Sequence, residues 1–512
     1  MISVTKKTAT EEPHDKRRLR MNILLIYPEF PDTFWSFKHA LAFVGKRAAL
    51  PPLGLLTVAA MLPKAWSLRL VDMNVRKLTD KDLAWADCAF ISAMVVQRES
   101  ARRVIARCKE ARLRIVAGGP LFTGEQDRFE TVDHFVLNEA ELTLPPFLKD
   151  LAQGHPQRIY ASTGFADLRQ TPQPLWNLLD LTRYATMGIQ VSRGCPFNCD
   201  FCNITALLGH RVRIKTSSQV IDELDSLYAL GWRGNVFFVD DNFIGNKTFV
   251  KTDLLPSLIE WRKNKVGNTF FTEASINLAD DASVMELMSE AGFTGVFIGI
   301  ETPDEVCLTE CGKAQNGNRN LVEDVKRIQR AGLQVQGGFI VGFDHDRPTI
   351  FQRQIDFIQK SGIVTAMVGL LQAPVGTRLY ARMEQEGRLC AESSGDNVDG
   401  TTNIIPEMNL TTLKEGYRRI LDTIYAPNHY YQRIRTFLRE YRAPSVCDHF
   451  QWSHGLALLR AFYKLGIVGR ERFHFWALLL WTQFRYPRLL PDAISLAIYG
   501  YHFRMICKKH VA

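Results

Sequence analysis

Cys195, Cys199 and Cys202 fall in one tight run, Arg193-Gly194-Cys195-Pro196-Phe197-Asn198-Cys199-Asp200-Phe201-Cys202, spaced C-x3-C-x2-C. Three thiolates this close can hold three irons of a [4Fe–4S] cube. No fourth cysteine lies nearby, so the remaining iron stays open to bind a substrate or cosubstrate directly. The alternatives are three core cysteines, or a zinc site with His210 as fourth ligand. Zinc loops usually supply paired cysteines in two knuckles, a pattern this sequence lacks. Cys307 and Cys311, four residues apart, could form a second redox pair, but two thiols without a third partner more often pack in a core.

The elements around this loop read as α/β. Asn22–Tyr27, Leu68–Asp72, Cys88–Ala93, Ile115–Ala117 and His134–Leu137 are short apolar runs separated by helical segments such as Pro51–Leu62 and Ser100–Ala111. Strands alternating with helices at this spacing predict a doubly wound parallel sheet over residues 21–153, with ligands bound beyond the strand C-terminal ends. A linker rich in Pro, Gln and Thr spans 154–181. A second series then begins, with strands expected at Ile189–Val191, Val236–Val239, Phe270–Thr272, Val296–Ile300, Gly337–Val341 and Ala366–Leu371. Six strand–helix repeats imply a partial (β/α) barrel over 182–399, with chemistry at the strand ends. The Cys195 loop follows its first strand. Helices are expected over 400–512.

The cysteine loop, with aromatic Phe201 before the last cysteine and at the end of a barrel's first strand, resembles radical S-adenosylmethionine enzymes. The resemblance implies that S-adenosylmethionine chelates the open iron and is cleaved by one electron to an adenosyl radical. A reducing donor such as ferredoxin or flavodoxin would supply that electron. It assigns Phe238-Val239-Asp240-Asp241-Asn242 to contact with the methionine amine, although the usual Gly-Gly-Glu is replaced. Thr272-Glu273-Ala274-Ser275 is assigned to the ribose or carboxylate, and Gly299-Ile300-Glu301 and Gly338-Phe339-Ile340-Val341-Gly342 to the ribose and adenine sides. The expected cofactor-binding residues there are Phe201, Asp240, Asp241, Glu273, Ser275, Glu301, Gly338 and Gly342. Together, the parallel sheet and the barrel resemble cobalamin-binding radical enzymes. Gly118 and Gly119 match their glycine pair, where missing side chains admit a nucleotide tail. Asp72 opens the segment Asp72-Met73-Asn74-Val75-Arg76-Lys77, which departs from Asp-x-His-x-x-Gly, so the implied cobalamin lacks a histidine ligand from this chain.

Tyr27-Pro28-Glu29-Phe30-Pro31 with Trp35, Gly231-Trp232-Arg233-Gly234, and Leu371-Gln372-Ala373-Pro374-Val375-Gly376-Thr377 resemble the subgroup that includes hopanoid methylases, which shares a C-terminal domain of unknown function. The implied activity is C-methylation of an unactivated carbon, possible only by a radical route because no side-chain base deprotonates such a C–H bond. The same cofactors could also serve cyclisation, oxidation or rearrangement without methyl transfer. A non-catalytic iron–sulfur sensor is the reading from another class.

Composition bounds the remaining choices. The 512 residues carry a net charge of +9, unevenly spread, since residues 411–512 hold sixteen basic, six acidic and nineteen aromatic residues. Basic and aromatic together suggest a nucleic-acid or a membrane-facing surface. The helical apolar spacing of Tyr417–Arg442 and Leu456–Tyr486 differs from the small strand-rich module that RNA-modifying relatives append, so no nucleic-acid partner is expected. A small-molecule or lipid substrate fits better, and the basic helical face reads equally as a peripheral contact with the inner membrane or as a solvated face over the barrel mouth. Residues 1–20 hold no apolar block and read as a flexible tail, not a secretory signal. With ten cysteines, this points to a reducing cytoplasm. The longest apolar stretches, such as Phe475–Trp481, are too short to span a bilayer.

Overall fold

Runs dense in Ile, Leu, Val and Phe become strands covered on both faces, and the amphipathic segments between them become the covering helices. The computed structural model describes residues 20–444 and 452–511; the expected tail, apart from Arg20, lies outside the described residues. The first sheet contains β1 (Asn22–Tyr27), β2 (Ser67–Asp72), β3 (Cys88–Ser92), β4 (Arg114–Gly118), β5 (His134–Val136) and β6 (Ile159–Tyr160). All are parallel, in the order β2-β1-β3-β4-β5-β6. The chain reverses direction across the sheet between β1 and β3, which opens a crevice at their C-terminal ends. The loops there are knitted together: the Phe30 amide donates to Asn74 Oδ1 at 2.8 Å, and Gln97 donates to the Pro28 carbonyl. The 154–181 segment supplies β6 to the sheet edge and two short 3-10 turns, with a third starting at its end, Leu181–Arg183.

The second sheet is also parallel. β7 (Thr186–Ile189) is followed by a two-residue antiparallel pair, β8 (Ser192–Arg193) with β9 (Arg213–Ile214). Then come β10 (Asn235–Phe238), β11 (Phe270–Glu273), β12 (Phe293–Glu301), β13 (Gln334–Val341) and β14 (Ala366–Leu370), side by side in chain order from β7. The expected strand at 189–191 stops at Ile189, because Asp240 captures the Val191 and Ser192 amides and bends the chain away from the sheet.

Strand alternation divides these side chains between two environments. Phe238, Phe270 and Phe293 interlock at ring separations of 5.1–5.4 Å within the core beneath the helices. Phe237, Phe271, Phe297 and Met367 take the opposite face and are only half-buried. That face is the barrel lumen.

The C-terminal region is helical as expected. Helices Leu410–Tyr425 and Pro427–Glu440 pack on the barrel helix Ile350–Ser361. Arg433, fully buried, closes this joint by donating to Gln359 Oε1 at 2.6 Å and to the Ile424 and Val364 carbonyls at 2.8 and 3.2 Å. Helices Trp452–Ala461, Arg472–Arg485 and Leu490–Val511 follow. No described helix is long and apolar enough to cross a membrane.

The two sheets are tied by a buried ionic network. Arg193 meets Glu141 at 2.8 Å and Glu139 at 3.2 Å, while Arg213 meets Glu139 at 2.6 Å. Glu139 and Glu141 begin the helix Ala140–Gln153 of the first domain, and Arg193 lies two residues before Cys195. Removing one partner from such a network leaves the other charges uncompensated, at about 3–5 kcal/mol. Glu139→Gln is therefore expected to lower the melting temperature by several degrees in a thermal scan, whereas Asp167→Asn, in an exposed pair with Arg169, leaves it unchanged.

Candidate active site

The cysteine loop is shaped by close backbone approaches. Gly194 has φ +95°, and a Cβ there would lie 2.8 Å from the Arg211 carbonyl oxygen, so only glycine delivers Cys195 at this turn. On the other side, Gly312 (φ +67°) leaves room for the Asn198 carbonyl, and the Asp200 amide donates to the Cys311 carbonyl at 3.0 Å. Arg378 grips Asp200 and the Asn198 carbonyl. All three thiols are free and partly buried. Among the described residues no three His, Cys, Asp or Glu side chains converge as ligands of a single ion. A cube instead takes one thiolate per iron and asks the sulfurs to surround a space.

Two groups missed in the sequence reading face this loop. Lys313 pairs with Glu301 at 2.7 Å. Burial opposes its charge, but Glu301 and the neighbouring Cys199 and Cys202 outweigh burial and hold it above the ordinary lysine range. Gln315 points its amide at Cys199 Sγ, 3.9 Å away, while its own Oε1 is buried without a partner. A cation and an amide donor beside the thiols suit an electron-rich sulfur-ligated centre. Both residues lie just beyond Cys307 and Cys311, which are themselves structural: Cys307 donates to Asp346 at 3.4 Å, Cys311 to the Leu308 carbonyl at 3.6 Å, and both sit in an apolar cluster.

The ends of β10 and β11 bring carboxylates together. Asp240 is spent on structure, accepting from the Val191 and Ser192 amides and the Ser192 hydroxyl; burial still raises its pKa to about 6. Asp241 Oδ2 is buried with no partner, and burial followed by repulsion from Asp240 raises that carboxyl to about 7. Glu273 is raised to about 8, first by burial and then by the charges of Asp241 and Asp240. Among the described residues neither Asp241 nor Glu273 forms an ion pair. Asp241 also lies close enough to Cys195 for their charges to interact. An acidic corner without counter-ions, next to the thiols, fits a ligand carrying ammonium and sulfonium charges, as S-adenosylmethionine does.

The other expected residues divide. Glu301 closes a β-bulge at φ +63°, a strained backbone for a non-glycine, and sits beside the site through Lys313. Ser275 donates to Asn277 and Asn242 at 2.6 and 3.2 Å. Phe201 packs with Phe343, 6.4 Å between rings. Gly338 lies on the lumen, where a Cβ would meet Phe297 at 2.8 Å, and Gly342 (φ +107°) is a turn whose amide donates to Asp346. In the first domain Asp72 accepts from the Asn74 amide and side chain and from the Tyr184 hydroxyl. A Cβ on Gly118 would strike the Val136 carbonyl at 2.6 Å, and one on Gly119 the Ser92 hydroxyl at 2.8 Å. These glycines let the crevice loops pack on one another.

The lumen below the acidic corner is aromatic. Phe237 and Phe271 lie 5.3 Å apart, and Trp35 from the first domain reaches across to Phe297 at 5.4 Å and donates to the Met367 sulfur at 3.0 Å.

Comparison with known proteins decides the family. Three models match in series: a B12 binding domain over residues 47–148, the radical SAM superfamily over 189–358, and a domain of unknown function over 377–512. The chain is 40% identical over 492 residues to an uncharacterized methyltransferase of Synechocystis sp., covering 94% of this chain and 91% of that one. It is also 33% identical over 469 residues to the hopanoid C-2 methylase of Rhodopseudomonas palustris, covering 89% and 88%. The chain is a cobalamin-dependent radical S-adenosylmethionine methyltransferase. This methyltransferase shares its fold with the cobalamin-dependent S-adenosylmethionine radical enzyme OxsB (TM-score 0.62, 15% identity, 97% of this chain and 80% of that chain). Its cofactors are those of the family: a [4Fe–4S] cluster, S-adenosylmethionine and cobalamin. The sensor reading is thereby set aside.

Two outcomes test the site. Cys195→Ala, Cys199→Ala and Cys202→Ala are each expected to bring the iron and sulfide content of anaerobically reconstituted protein close to background and to abolish reductive cleavage of S-adenosylmethionine. Glu273 favours its protonated form in the fold, so its carboxylate weakens stability progressively as pH rises from about 4.5 through about 8. Glu273→Gln is expected to raise the melting temperature of the cofactor-free protein by about 2 °C at pH 8, with a smaller rise at pH 5. The same variant should weaken S-adenosylmethionine binding to the loaded protein about tenfold or more, measured by equilibrium dialysis.

Proposed function

We propose that this methyltransferase adds a methyl group to an unactivated carbon of a hopanoid or another polycyclic lipid. The observation that carries the substrate class is the lumen, where Trp35, Phe237, Phe271, Phe297 and Met367 offer an apolar, ring-lined surface a few strand positions below the acidic corner. A rigid polycycle loses little conformational freedom on entering such a space. The similarity to the hopanoid C-2 methylase supports the same reading.

In this proposal Cys195, Cys199 and Cys202 hold the cluster. Asp241 and Glu273 receive the cationic end of S-adenosylmethionine, with Glu301 and Lys313 beside them. Asp72, Gly118 and Gly119 shape the loops on the cobalamin side. When bound, the cluster and S-adenosylmethionine supply hydrogen-abstracting one-electron chemistry, and cobalamin supplies the methyl group. The chain's own contribution is placement: Trp35 and the aromatic walls exclude water and orient the target carbon. A ferredoxin- or flavodoxin-class donor supplies the electron, and a peripheral seat on the inner membrane from the cytoplasmic side suits a substrate dissolved there.

The test is anaerobic incubation of the reconstituted enzyme with a hopanoid, a reductant and S-adenosylmethionine labelled in its methyl group. The expected product is heavier by one CH2 and carries the label. Cleavage of S-adenosylmethionine with a product of unchanged mass would instead indicate cyclisation, oxidation or rearrangement. No product from any hopanoid, with methylation of another polycycle, would remove the hopanoid assignment.

A further inference from the structure

Among the described residues, the C-terminal helices leave an apolar face without a partner. Helix Trp452–Ala461 continues through a π-helical stretch, Phe462–Val468, and folds back as Arg472–Arg485. The two arms are joined by Phe462 stacked on Trp476 at 5.5 Å and by the Trp476 indole donating to the Gly466 carbonyl at 2.9 Å. The inward side chains Leu465, Phe475, Leu478 and Leu479 are buried as expected. The outward side chains break the usual pattern. On the first arm Leu456, Leu459, Tyr463 and Ile467 follow one another at helical spacing and are 54–65% exposed. On the second, Phe473, Leu480 and Phe484 do the same and are 74%, 57% and 84% exposed. A water-facing helix carries charges at such positions. Here each arm presents an apolar stripe, the second about 16 Å long, where soluble monomers scatter their exposed apolar side chains singly.

The charges flanking the stripes have one sign. Arg470, Arg472, Arg485 and Arg488 are exposed. Between residues 452 and 491 the sequence has a single carboxylate, Glu471, and it is buried in an ion pair with Arg504. We propose that this hairpin is a membrane-docking surface that seats its Phe, Leu and Tyr stripes in the acyl boundary of an anionic leaflet and its arginines among the lipid phosphates. Aromatic and aliphatic side chains ringed by arginines match that interface in polarity and charge. A second copy of the chain fits poorly, because a twofold contact through this face would oppose arginine to arginine.

The hairpin is not a remote appendage. Helices Trp452–Ala461 and Leu490–Val511 pack on the first-domain helix Lys38–Val44. Just before it, Phe34 stacks on Phe503 at 4.1 Å, and its neighbour Trp35 lines the lumen. One packed unit thus links the docking face to the lumen. The inference deepens the lipid-substrate reading and rests on it for the purpose of docking; the test uses no substrate, so the two fail separately.

The test is co-sedimentation of the full-length reconstituted enzyme with phosphatidylglycerol–phosphatidylcholine vesicles and with phosphatidylcholine alone, alongside analytical ultracentrifugation without lipid. Expected is binding to the anionic vesicles that weakens in high salt and falls at least about tenfold in the double variant Phe473→Ser/Phe484→Ser. Arg472→Gln/Arg485→Gln should lose the preference for anionic lipid. The substituted side chains are exposed, so the variants should keep the parent's melting temperature. Absence of vesicle binding by the folded enzyme would overturn the proposal. So would self-association that Phe473→Ser/Phe484→Ser abolishes while leaving vesicle binding unchanged.

Discussion

Carboxylates brought together at neighbouring strand ends, with no ion pair among the described residues to match them, are the constraint on which the site is built. Asp240, Asp241 and Glu273 end neighbouring parallel strands, so the register of β10 against β11 forces them together. Asp240 is held by the amides it caps, Asp241 Oδ2 is buried without a partner, and Glu273, half-buried, forms no ion pair among the described residues. A core that needed only stability would place apolar residues there, because unpaired buried carboxyls oppose folding. In the proposed function, the cationic end of S-adenosylmethionine would turn that unfavourable arrangement into recognition and select the charged cosubstrate over neutral molecules of similar shape.

The thiol loop obeys a complementary rule. Asp241 and Lys313 both act on Cys195 with opposite sign, Lys313 also acts on Cys202, and Gln315 points its amide at Cys199. Arg193, two residues ahead of Cys195, carries this loop's position into the first domain through Glu139 and Glu141. Because the network is buried and bidentate in character, it resists the relative sliding of the two sheets that a solvent-exposed pair would allow. Radical chemistry has use for such stiffness, since small displacements of reacting groups are costly in rate.

Much of this was legible in the chain. Parallel strands buried on both faces are written as unbroken apolar runs, so both α/β series, the helical C-terminal region and the placement of the cysteine loop after the barrel's first strand could be read directly. Lys313 and Gln315 could not. Their signal is one lysine and one glutamine past a helix end, and their importance comes from Gly312, whose missing side chain lets this segment close on the Asn198 carbonyl. The lumen was equally hidden: alternation sends the adjacent Phe237 and Phe238 to opposite faces, but only the packing of the helices on one face decides which of the two is core and which is lumen.

The amino-acid order by itself determined which thiols share a loop, the order in which strands and helices alternate, and which positions hold the glycines that permit positive φ. These depend on spacing and side-chain type, which are local. Tertiary structure alone decided which carboxylates remain unpaired, which cation meets the thiols, and that Asp72, Ser275 and Asp240 satisfy neighbouring groups of the fold. Those outcomes depend on distances between residues far apart in the chain, and desolvation and Coulomb energies are set by such distances.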